Sequence, residues 1–151
     1  MKKLLLILLC LPLLFTTCKK EEEEPTNNGN NNGQTYVPNT YFEQRLIDLG
    51  LDETLDDYVL TGNINDLEVL DVSNENISDL TGIEDFTALI TLDCANNQLT
   101  SLDVSNNTAL TRLECYNNQL TSLDVSGATA LTTLSCNHNQ LTSLDLSLQT
   151  S

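Results

Sequence analysis

"LTRLECYNNQLTSLDVSGATA" (residues 110–130) decides the fold, because the stretches on either side of it are written in the same pattern. Residues 89–109 read "LITLDCANNQLTSLDVSNNTA" and residues 131–151 read "LTTLSCNHNQLTSLDLSLQTS". Each unit is 21 residues long, with leucine or a substitute at positions 1, 4, 6, 11, 14 and 16 and asparagine at position 9. Cys94, Cys115 and Cys136 all fall at position 6. An irregular unit of 22 residues, 67–88, precedes them, with Val72 at the cysteine position and Glu75 where asparagine is expected. A fixed period of this length means that one unit is one turn of a coil. No turn can bury its leucines alone, so neighbouring turns must stack.

Stacking assigns a role to each column. The first half of a unit forms a short strand that pairs in parallel with the next, roughly 4.8 Å away. Leu92, Leu113 and Leu134 make one interior column and Leu99, Leu120 and Leu141 another, while Leu102/Val104, Leu123/Val125 and Leu144/Leu146 line the opposite wall. Asn97, Asn118 and Asn139 turn inward where the strand ends, their amides bonding backbone groups that the bend leaves unpaired. Cys94, Cys115 and Cys136 pack as small hydrophobes and stay free thiols. His138, the single histidine, stands at position 8, which Asn96 and Asn117 hold elsewhere, so its closeness to Cys136 is an accident of register.

The pattern L-x-x-L-x-C-x-x-N-x-L resembles the leucine-rich repeat, and the 21-residue form with "LTSLDVS" is similar to repeats of Bacteroidetes surface and secreted proteins. The resemblance implies an α/β solenoid with short parallel strands on its concave face, an N-terminal helical cap at residues 36–66, repeats at 67–151, and no evident C-terminal cap. Within the cap, "VPNTYFEQRLIDLG" places Thr40 and Glu43 as a capping box, Phe42, Leu46 and Leu49 on one helical face, and Gly50 as the stop. Leu55, Val59 and Ile64 are the expected anchors after the helix. The acidic group Asp52, Glu53, Asp56 and Asp57 lacks the alternation of an EF-hand loop and reads as a solvated turn.

Ahead of the cap, Lys2 and Lys3 introduce an apolar run of twelve residues, Leu4 to Phe15, of export-signal length and too short to span a bilayer. "FTTCKKEEEE" resembles the lipobox of bacterial lipoproteins in a relaxed form, which implies a signal peptide at 1–17 and acylation of Cys18. The "CKKEEEE" run looks like the signal that sends Bacteroidetes lipoproteins to the outer leaflet of the outer membrane, so the expected localisation is lipid-anchored and cell-surface exposed. Residues 18–35 then form a polar linker with a reach on the order of 20 to 25 Å.

Composition limits the partners. With 22 acidic against 6 basic residues and a net charge of −16, the chain repels polyphosphates, which excludes nucleic acid; the membrane is reached only through the lipid. No cofactor or metal is implied. The candidate concave binding face comprises Asp71, Asp93, Arg112, Glu114, Tyr116, Ser135 and Asn137, within outward positions 3, 5 and 7 that also carry Val69, Ser73, Thr91, Ala95 and Thr133. A second acidic column, Asp103, Asp124 and Asp145, is a solvated face with calcium bridging as the lesser reading. Paired carboxylates without an enclosing pocket do not separate an acid from a nucleophile, so no enzyme is expected. The function that follows is a non-catalytic module binding a protein or a glycan; the alternative is a structural spacer or the truncated N-terminal part of a larger adhesin. Truncation draws on the open leucine column after residue 151, which only Leu148 would cover.

Overall fold

The computed structural model describes residues 33–146. The expected leader at 1–17, Cys18 and the part of the expected linker through residue 32 lie outside the described residues, as does Leu148. The cap is built from β1 (Gln34–Tyr36), α1 (Thr40–Asp48), β2 (Tyr58–Leu60) and the single turn α2 (Thr61–Ile64). Strands β1 and β2 pair antiparallel, with Thr35 opposite Val59. Gln34 and Thr35, assigned to the linker by their polarity, therefore belong to the cap. Thr35 is buried because its hydroxyl has two partners: Oγ1 donates to Asp85 Oδ2 at 2.6 Å and meets Thr61 Oγ1 at 2.9 Å.

The helix departs from the expected capping box. Asn39 is the N-cap, its side chain accepting from the Phe42 N–H at 3.0 Å. Glu43 is buried and reaches forward instead, Oε1 accepting from the N–H groups of Asp56 at 2.7 Å and Asp57 at 2.6 Å. The left-handed turn at Asp57 (φ 67°) aims those two donors inward where no backbone acceptor waits, and the carboxylate fills that gap. Gly50 does stop the helix. At φ 74° its N–H bonds Ile47 O and the next, Leu51, bonds Leu46 O, both at 2.9 Å, which satisfies the carbonyls of the last turn. Phe42, Leu46, Val59 and Ile64 are fully buried, whereas Leu49 and Leu55 are exposed. The loop carrying Leu55 is held by the Glu43 carboxylate, so an apolar anchor there is not required.

The repeats supply β3 (Val69–Asp71), β4 (Thr91–Asp93), β6 (Arg112–Glu114) and β8 (Thr133–Ser135), a parallel sheet in the order β3-β4-β6-β8. Its register is one repeat per rung: Leu70, Leu92, Leu113 and Leu134 are partners in turn. On the opposite wall β5 (Ser101–Asp103) pairs in parallel with β7 (Ser122–Asp124). The wall ends there among the described residues: 143–145 form no strand and Leu146 is exposed, since no described turn lies beyond to pair with them. Between the walls runs one core. Leu92, Leu99, Leu113 and Leu120 are fully buried, Leu134 and Leu141 partly, because each turn covers the one before it. Among the described residues no helix is long and apolar enough to cross a membrane.

Candidate functional site

Three asparagines set the bend after each concave strand. Asn118 Oδ1 accepts the Leu99 N–H at 3.0 Å while Nδ2 donates to Cys94 O at 3.0 Å and Cys115 O at 3.2 Å. Asn97 bridges Ile77 N with Val72 O and Cys94 O, and Asn139 bridges Leu120 N with Cys115 O and Cys136 O. Each amide thus ties two turns together. Asn107, which the sequence reading passed over, does the same for the irregular first unit: it is fully buried and Nδ2 donates to Ile83 O at 2.9 Å and Phe86 O at 3.1 Å. Ala128 takes its place one turn on, so no periodic signal marked it.

The residue just before each bend asparagine is left-handed. Asn96 (φ 57°), Asn117 (φ 53°) and His138 (φ 57°) share this conformation, as does Asn74 (φ 62°) in the first unit. Asparagine and histidine are among the few side chains that tolerate it. His138 is exposed there, and among the described residues no three His, Cys, Asp or Glu side chains are grouped to hold a metal ion. Cys94 and Cys115 are fully buried free thiols, Cys136 a half-buried one. Burial pushes the Cys115 thiol up to about 12 and Cys94 well above its ordinary value, so both are protonated and neither is a nucleophile.

The concave sheet presents Asp71, Asp93, Glu114 and Ser135 in register, beside the column Val69, Thr91, Arg112 and Thr133. Tyr116 is half-buried and Asn137 exposed at position 7. Ala95, expected on this face, is fully buried, its methyl group too short to reach past the flanking turns. The aspartates have a task that the column pattern did not reveal. Asp71 accepts from the Ser73 N–H and Asp93 from the Ala95 N–H, each at 3.0 Å, and on the opposite wall Asp103 and Asp124 accept from Ser105 N and Ser126 N at 2.8 and 2.9 Å. Each carboxylate closes an Asx turn at a strand end; the spacing of Asp and a small residue two places on was the available signal.

Their electrostatics diverge. The Ser73 backbone N–H holds the Asp71 carboxyl below the usual range, assisted by the Ser73 hydroxyl and by Arg45, against its partial burial. The Ser126 N–H does the same for the exposed Asp124. Asp93 is raised, first by burial and then by Asp71 and Glu114 on either side, against the pull of the Ala95 N–H and Arg112. A carboxyl raised in the folded state favours folding when protonated and loses that advantage as pH rises through its folded value. Asp93→Asn keeps an acceptor for the Ala95 N–H and is expected to be more stable than the parent at pH 7. The gain should vanish below the ordinary carboxylate value, as thermal unfolding between pH 3 and 7 would show. A constant difference across that range would refute it.

Coil, strand register and asparagine bends together decide the architecture. The fold is a leucine-rich repeat. The family model described as "Leucine Rich repeats (2 copies)" matches residues 87–127. Among solved structures, the leucine-rich repeat region resembles the functional domain of InlJ from Listeria monocytogenes, described as including a cysteine ladder, at 38% identity and a TM-score of 0.69, covering 76% of this chain and 26% of that one. It also resembles an internalin, InlF, from L. monocytogenes at 25% identity and a TM-score of 0.63, covering 75% of this chain and 33% of that one. The chain therefore spans about a quarter to a third of the length of these relatives. No curated protein matches it by sequence.

Proposed function

We propose that this leucine-rich repeat is a non-catalytic binding module of a bacterial cell surface, held to the outer membrane by acyl chains on Cys18, that contacts a protein or glycan through its concave sheet. The supporting observation is the face of β3-β4-β6-β8, uncovered among the described residues, where Arg112 in β6 and Tyr116 two residues past its end, residue types that anchor interfaces, stand on either side of Glu114 along one turn. The register of the sheet fixes the backbone that carries Arg112 and leads into Tyr116, which lowers the ordering cost at binding. Neither the raised thiols nor the turn-closing carboxylates offer a reacting group.

Screening proteins and glycans against the exported chain and then replacing both residues, Arg112→Ala with Tyr116→Ala, is expected to weaken the ligand found by at least about tenfold, with the melting temperature unchanged. Mass measurement of the same preparation reads the acyl chains on Cys18. A ligand indifferent to the two changes would move the site off the concave face. A chain with no ligand at all would favour the second reading, a structural spacer within a longer protein, which the short share of the internalin relatives covered here also suits.

A further inference from the structure

The concave face differs from the rest of this acidic chain in how its charges are served. Of the six basic residues, Lys2, Lys3, Lys19 and Lys20 precede the fold, leaving Arg45 and Arg112 as the only two among the described residues. Both lie on the concave carboxylate ladder. The Arg112 guanidinium pairs with Glu114, and Arg45 donates from Nε to Asp71 O at 3.0 Å while standing 3.4 Å from Glu75 Oε1. The chain thus supplies a cation to each end of the ladder. The middle rung, Asp93, has Asp71 and Glu114 as register partners; burial first and then their charges act against its ionisation, and Arg112, which pairs with Glu114, offsets this least.

We infer that the concave face docks a cationic protein segment, whose lysine or arginine lies over Asp93 between the two resident guanidinium groups. The inference rests on the concave sheet being the binding surface. Guanidinium capture on this ladder is already seen within the molecule, in Arg112. The flanks suit the rest of such a side chain: Val69 is 61% exposed two positions from Asp71 on the same face of β3, offering apolar surface to an aliphatic stem, and Tyr116 offers a ring to a cation. The opposite ladder has no such flank. Asp103 and Asp124 stand among Ser101, Ser122 and Ser143, and among the described residues no basic or aromatic side chain lines the groove they share.

The test uses the whole exported chain and two synthetic probes, an alternating Lys-Leu peptide and its Glu-Leu counterpart, titrated calorimetrically at low and physiological salt. The Lys-Leu peptide is expected to bind and to weaken with salt, and the Glu-Leu peptide not to bind. Asp93→Asn should weaken the Lys-Leu peptide about fivefold, while Asp124→Asn, an equal change of charge on the other wall, leaves it unaltered. Equal weakening by both variants would reduce the effect to net charge and overturn the inference, as would failure of the Lys-Leu peptide to bind. A neutral or acidic ligand that depends on Arg112 and Tyr116 would overturn it while leaving the binding module standing.

Discussion

Asn118→Ala is expected to destabilise the solenoid by about 2 to 4 kcal/mol, because it leaves the buried Leu99 N–H without an acceptor and takes from the carbonyls of Cys94 and Cys115 one of two donors each, the others being Asn97 and Asn139. The side chain accepts from the Leu99 N–H and donates to the carbonyls of Cys94 and Cys115, and it is 8% exposed, so water cannot take over those bonds. Each buried group left unpaired costs on the order of 1 to 3 kcal/mol, against a total stability of roughly 5 to 15 kcal/mol for a domain. The melting temperature should fall by about 10 to 20 °C. Asn118→Asp separates hydrogen bonding from packing. It preserves the acceptor for Leu99 but turns an anionic oxygen toward two carbonyls, so its carboxyl is raised in the folded state. Its stability is present when protonated, below the ordinary value of about 3.9, and is lost as pH rises through the raised one. A variant whose deficit relative to the parent shrinks on acidification bears this out; a deficit independent of pH would assign the loss to packing alone.

The leucine columns were legible because the period is exact in the middle units: Leu92 over Leu113 over Leu134 needs only counting, and the structure pairs them rung by rung. The cap was less so. Asn39 rather than Thr40 caps α1, and Glu43 serves Asp56 and Asp57, because a carboxylate takes whichever unpaired donors the tertiary fold brings to it. Local spacing cannot foresee donors 13 and 14 residues away. In the candidate site the face membership of Asp71, Asp93, Glu114, Arg112 and Tyr116 followed from alternation along a strand, but two facts did not. That Asp71 and Asp93 each close a turn depends on the bend after the strand, and that Arg45 joins the ladder from the cap depends on how α1 docks. Alternation says which way a side chain points; it says nothing of what a distant element sets beside it.

Gly127 carries the second large effect, and propensity predicts the wrong sign for it. Its φ is not in the left-handed region, so alanine there should stabilise by about 0.4 to 1 kcal/mol through the unfolded chain. The inter-turn contact reverses this. A Cβ at Gly127 would stand 1.6 Å from Ser105 O and 2.6 Å from Ser105 C, and both are backbone atoms that no rotamer change can move aside. Accepting the methyl group means separating the two turns, beside the point where the Val104 N–H bonds Asp124 O at 2.9 Å across β5 and β7. Gly127→Ala is expected to cost about 3 kcal/mol, the upper range of overpacking. Gly62→Ala in α2 is the matched control: a Cβ there meets nothing within 4 Å, so the helical preference acts alone and stabilises by about 0.5 to 1 kcal/mol. Denaturant unfolding of the two variants should move the midpoint in opposite directions. A shift in the same direction for both would show that the turns part at Gly127 without cost, so that close stacking of turns is not what holds the wall together.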